Sequence, residues 1–77
     1  MPVATQKSQR QYGTIREWNR ASGFGIVVAE SDSNVYFLHA SQVSADTRDM
    51  LSVGAFLEFT PLQDGLRWRA VRASVIK

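Results

Sequence analysis

The sequence predicts an all-β domain, a small five-stranded antiparallel barrel, on three observations. Five short runs rich in β-branched and aromatic residues follow one another, divided by clusters of turn residues. Only one stretch, ASQVSADTRDMLSVG (40–54), breaks the series; it has room for a turn of helix and a long loop. Most of the runs also carry apolar residues on both faces, and closing a short sheet on itself removes its exposed edges.

The polar, aperiodic opening MPVATQKSQRQ (1–11) reads as a flexible tail, leaving one domain over 12–77. The first strand is YGTIREW (12–18), followed by the turn NRAS. The second is GFGIVVA (23–29), ended by the turn cluster ESDSN, and the third is NVYFLH (34–39). GAFLEFTPL (54–62) and LRWRAVRASVI (66–76) are the fourth and fifth, joined by the hairpin signal QDG. Alternation sorts their faces. Phe24, Ile26 and Val28 oppose Gly25, Val27 and Ala29; Phe37 and His39 oppose Tyr36 and Leu38. Ala55, Leu57 and Phe59 oppose Phe56, Glu58 and Thr60; Arg67, Arg69 and Val71 oppose Trp68, Ala70 and Arg72. One face of each strand is core, and the other needs a different explanation.

Composition narrows the function. With 77 residues there is one domain and a thin core. No cysteine is present, so disulfides and thiolate zinc sites are excluded. No apolar run approaches the ~20 residues of a membrane span, and the start lacks the apolar stretch of a signal peptide, so the expectation is a cytoplasmic protein with no membrane partner. A single histidine, scattered acids and no phosphate-binding glycine loop give no catalytic residues, no metal site and no cofactor. The net charge is only +2, but seven of the nine basic residues are arginine, gathered near the two ends around an acidic middle. Brought together, those ends would form a basic face; a merely solvated surface is the plainer alternative.

A small β-domain that exposes aromatic rings offers them to something flat, and a stacked base is worth ~1–3 kcal/mol. Trp18, Phe24, Phe37 and His39 lie among Arg16 and Arg20, with Gly23 and Gly25 permitting close approach. Together they make a platform for single-stranded RNA or DNA, with arginines for the phosphates. Taken singly, each has another reading. Phe24 and Phe37 fit a core, Trp18 fits a cap on the barrel, and His39 fits an ordinary surface histidine. Gly-Phe-Gly fits any bulge, and the C-terminal arginines fit the wet face of an edge strand.

GTIREWNRASGFGIV followed by VYFLHASQV resembles the cold-shock domain family, and the similarity covers nearly all of 13–76. The resemblance implies an oligonucleotide-binding (OB) barrel, single-stranded nucleic acid as ligand and an RNA-chaperone role. It implies that Arg16 stands at the family's first-strand lysine and that Asn19, Gly23, Phe24 and Gly25 match. Phe37 and His39 fall at stacking positions, Ser41 matches a serine, Val43 takes a core isoleucine's place, and Trp18 replaces a phenylalanine. There are also departures. Glu17 stands at a stacking tryptophan, Ser22 at a lysine, Ile26 at a phenylalanine and Ala40 at an aromatic residue. Losing three or four stacks at ~1 kcal/mol each lowers affinity by about a hundredfold to a thousandfold. Arg20, Arg67, Arg69 and Arg72 offer some compensation, as does Trp68 if it faces outward. The reading is a weak, sequence-tolerant binder. The competing one is a barrel turned to protein recognition or self-association, with Ile26 and Ala40 in its contact patch.

One conflict remains. Strict alternation would bury Glu17 beside Ile15, at a cost of several kcal/mol. A bulge near residues 16–18 would turn it outward, to pair with Arg16, Arg20 or a C-terminal arginine.

Overall fold

A computed structural model describes residues 10–77. Its strands are β1 (Gln11–Asn19), β2 (Phe24–Ala29), β3 (Val35–His39), β4 (Phe56–Asp64) and β5 (Arg67–Val75). They close into a barrel in the order β1-β2-β3-β5-β4, with β4 pairing back onto β1. The residues between β3 and β4 hold two 3-10 turns, Ala40–Gln42 and Arg48–Met50.

The barrel is not wholly antiparallel, as the sequence had implied. β3 and β5 run parallel, with Phe37 opposite Arg69 and Leu38 opposite Ala70. The cause is parity: directions cannot alternate all the way round a ring of five strands, so one pair must be parallel. The tail boundary also moves. Gln11 opens β1. Arg10 reaches β4, donating from Nη1 to Thr60 Oγ1 at 3.2 Å and lying 3.5 Å from the Glu58 carboxylate. Both residues therefore belong to the barrel; 1–9, the rest of the expected tail, lie outside the described residues.

Ile15, Val27, Tyr36, Leu38, Leu57 and Phe59 fill the interior, each with 1% exposure or less. The pairs that alternation had put on one side of a strand, Tyr36 with Leu38 and Leu57 with Phe59, prove to be the core side of it. Tyr36 packs on Phe59 with ring centroids 5.0 Å apart and meets Trp68 edge-on at 6.1 Å.

Two bulges reset the alternation. Along β1–β2, Ile15 pairs with Val27 and Glu17 with Ile26, so Arg16 has no partner across the ladder. One inserted residue flips every side chain after it. Ile15 points in and Glu17 out, as expected, and Trp18 must then turn in. Along β4–β5, Glu58 pairs with Ser74 and Thr60 with Val71, so Arg72 and Ala73 together face Phe59. Arg72 sits there in the left-handed region (φ 52). Alternation would place it on the core side with Ala70; the bulge turns it to solvent.

Candidate nucleic-acid interface

Pairing across the strands builds two outward rows. Glu17, Ile26, Phe37 and Arg69 stand in line across β1, β2, β3 and β5. Asn19, Phe24 and His39 form a shorter row beside them. Phe24 and Phe37 are thus diagonal neighbours on β2 and β3, about 7–8 Å apart. They are 51% and 41% exposed, which takes both out of the core. They form a ridge with a groove on either side.

The first groove, about 560 Å³, is lined by both rings together with His39, Ser41, Gln42 and the arginines 67 and 69. The Arg67 guanidinium carbon lies 5.4 Å from the Phe37 ring centroid, within cation–π range. Arg69 Nε is 3.0 Å from Asp64 Oδ2, but both side chains are more than half exposed, so this pair is weak and yields readily to a phosphate. His39 meets Phe24 edge-to-face at 4.5 Å. Its Nδ1 accepts from the Ser41 backbone N–H at 3.1 Å and lies 2.8 Å from Ser41 Oγ, which fixes the ring's orientation. Ser41 and Gln42 complete this groove without having been singled out as ligand contacts. The spacing of Ser41, two residues past the histidine, was the available signal for it.

The second groove, about 620 Å³, lies across the ridge. Ile26 and Gly25 are on its floor, Phe24 and Phe37 on one side, and Glu17, Asn19 and Arg20 on the other. Asn19 and Ser22 shape the turn that forms this wall. Asn19 Oδ1 accepts from the Ser22 N–H at 3.1 Å, and the Asn19 carbonyl accepts from the Gly23 N–H at 2.9 Å. Gly23 closes the turn at φ +77, a conformation that favours glycine.

Other expected residues lie elsewhere. Trp18 pairs with Gly25 on the inward row and packs half-buried against the core, over the bare Gly25 backbone. From there it lines both the second groove and the adjoining one that holds Ala40 and Leu51. Trp68 likewise faces Tyr36 and adds no outer ring. Arg16 is exposed in the bulge and lines neither groove. Arg72 lines a separate groove of about 490 Å³ with Arg10, Ser44 and Ser74, which touches the first groove through Ser41 and Gln42. Among the described residues Glu17 has no ion-pair partner, so the expected arginine pairing is absent. Among the described residues the two basic ends meet only in part: Arg10 and Arg72 share the groove of about 490 Å³, whereas Arg20 and the pair 67 and 69 flank opposite sides of the ridge. Among the described residues no cluster of three or more His, Cys, Asp or Glu could hold a metal ion. No described helix is long and apolar enough to cross a membrane.

No protein-family model matches the chain, and no curated protein matches it. Among solved structures, the Drosophila Unr cold-shock domains (CSD456) superpose with a TM-score of 0.74 at 26% identity, over 90% of this chain. The chain spans about a quarter (27%) of that structure's length. The closed five-stranded barrel is an OB-type, cold-shock fold, and the resemblance read from the sequence holds in three dimensions.

Proposed function

We propose that this cold-shock barrel binds single-stranded RNA or DNA, stacking bases on Phe24, Phe37 and His39 while Arg67 and Arg69 contact phosphates and Arg20 meets the strand from the other groove. The observation that carries the reading is the ridge itself. Two phenylalanines kept out of a thin core, diagonal to one another and flanked by arginines, have no packing role that accounts for their exposure. Duplexes fit less well, because stacking requires bases already unpaired. With few rings and Glu17 on the same face, stacking on the ridge is weak and in itself tolerant of sequence, suited to keeping RNA strands open in the cytoplasm without catalysis.

The protein-recognition alternative needs Ile26 and Ala40 to form one aliphatic patch. Ile26 lines the second groove and Ala40 an adjoining one with Trp18, Arg20 and Leu51, which gives that patch less support than the aromatic ridge.

Phe37→Ala tests the reading. A labelled oligothymidylate should bind at least fivefold more weakly to the folded variant, the loss of one stack of ~1–3 kcal/mol. Wild-type affinity should fall as salt rises. Unchanged affinity in Phe37→Ala, or a flat salt response, defeats the proposal.

A further inference from the structure

Glu17 is the residue that the stacking mechanism leaves unused. It is exposed on the outer row directly across from Ile26, at the edge of the groove that Phe24 and Phe37 close on the far side. It opposes binding of phosphate, yet nothing in the described structure neutralises it. Neither Glu17 nor Arg20, on the same wall, forms an ion pair among the described residues. The groove therefore combines an apolar floor and aromatic wall with a polar wall. That polar wall has a carboxylate that only accepts hydrogen bonds and a guanidinium that only donates them.

We infer that this second groove is a base-reading site selective for guanine, with Glu17 the specificity-determining residue; the inference rests on the single-strand reading above. Single-stranded bases are read on their Watson–Crick edges. A carboxylate can take two parallel N–H donors in bidentate fashion. Of the four bases only guanine places two donors side by side on that edge, N1–H and the 2-amino group, with O6 as acceptor next to them. Glu17 takes the two donors and Arg20 donates to O6. Thymine and uracil present a single donor between two acceptors, and their carbonyl oxygens meet the carboxylate unfavourably. Cytosine and adenine each offer one amino group beside an acceptor nitrogen. Repulsion of phosphate by Glu17 acts in the same direction, since it turns the strand so that a base rather than the backbone enters this groove.

The test is a set of short labelled oligothymidylates, unmodified or carrying one central guanine, hypoxanthine or adenine, titrated by fluorescence anisotropy. The guanine strand should bind wild-type protein about tenfold more tightly than plain thymidylate, within the range of a bidentate base contact. Hypoxanthine, lacking the 2-amino group, should lose most of that gain, and adenine should show none of it. Glu17→Gln should abolish the guanine preference while tightening plain thymidylate binding, because the negative charge is gone. The changed residue is exposed, and a thermal melt confirms that the variant is folded. Absence of a guanine preference, or a preference that survives undiminished in Glu17→Gln, overturns the inference while the single-strand reading stands. Failure of the folded protein to bind any of the strands removes both.

Discussion

Replacing Glu17 by tryptophan asks directly how much of the face that one residue costs. The side chain stands on the outer row, two strand spacings from Phe37 across Ile26, or about 10 Å. The groove beside it is open, so an indole there meets no packed neighbour. Two terms change together. A new stacking surface contributes ~1–3 kcal/mol. Removing a unit charge about 10 Å from a phosphate, in water-like dielectric, contributes about 0.4 kcal/mol more. Their sum, about 1.4–3.4 kcal/mol, tightens thymidylate binding by about tenfold to about three hundredfold. Stability should stay within about 0.5 kcal/mol, as for other surface changes. A fluorophore on the oligonucleotide is the right reporter, because a third tryptophan would confuse intrinsic emission. The salt slope should scarcely move, since no cation is added or removed. Unchanged or weaker affinity in a folded Glu17→Trp variant would show that the strand does not cross the β1 side of the ridge.

The other predictions concern stability. In Gly25→Ala the new Cβ would lie 2.9 Å from Trp18 Cζ3 and collide with the rest of that ring and the Glu17 carbonyl. Overpacking of ~1–3 kcal/mol should lower Tm by at least about 5 °C; an unchanged Tm would mean that Trp18 is a free outer ring rather than one packed against the core. Arg72→Gly should raise stability by up to about 1 kcal/mol, because glycine adopts φ 52 without strain. A fall in Tm would assign the arginine side chain a contact that outweighs its backbone. The Tyr36 phenol is pushed above its ordinary value, first by burial and then by the Asp32 charge, against hydrogen bonds to Asn34 and Gln11 that lower it. Its contribution to stability is therefore complete below about pH 10 and is lost as pH rises through the folded value. Tyr36→Phe should flatten that alkaline decline in chemical-denaturation midpoints.

The strands and most of their faces were legible because period-2 alternation needs no knowledge of partners. Alternation grouped Tyr36 with Leu38 and Leu57 with Phe59, and those sides are the inner ones; Phe24 and Phe37 fitted a core as well as an outer platform, and only the structure put them outside. The bulge in β1 was legible too, from the conflict between a core Ile15 and a charged Glu17. Its consequence for Trp18 was missed: a bulge that turns residue 17 outward must turn residue 18 inward. Nothing comparable marked β5, where Arg72 occupies a left-handed position usually taken by glycine or asparagine, so its exclusion from the core was invisible in the text. The parallel β3–β5 contact was implicit in the strand count alone. The absence of a Glu17–arginine ion pair among the described residues depends on side-chain reach across a bulge, which one-dimensional spacing does not encode.

The order of charges along the outer row determines how a strand lies on it. From β1 to β5 the row reads acid, aliphatic, aromatic, base. A polyanion laid across the face lowers its energy by placing its phosphates toward Arg67 and Arg69 and away from Glu17. Its bases then project over Phe37 and Phe24 toward β1, where the groove walls carry hydrogen-bonding groups. Stacking alone would accept either orientation, because every base has two π-faces. The gradient from Arg69 to Glu17 removes that degeneracy, and the acid at residue 17 steepens it. Glu17 therefore trades affinity for orientation. That is why the tryptophan variant, like Glu17→Gln, should bind thymidylate more tightly and at the same time lose discrimination among bases; the added stack should make its gain in affinity the larger of the two.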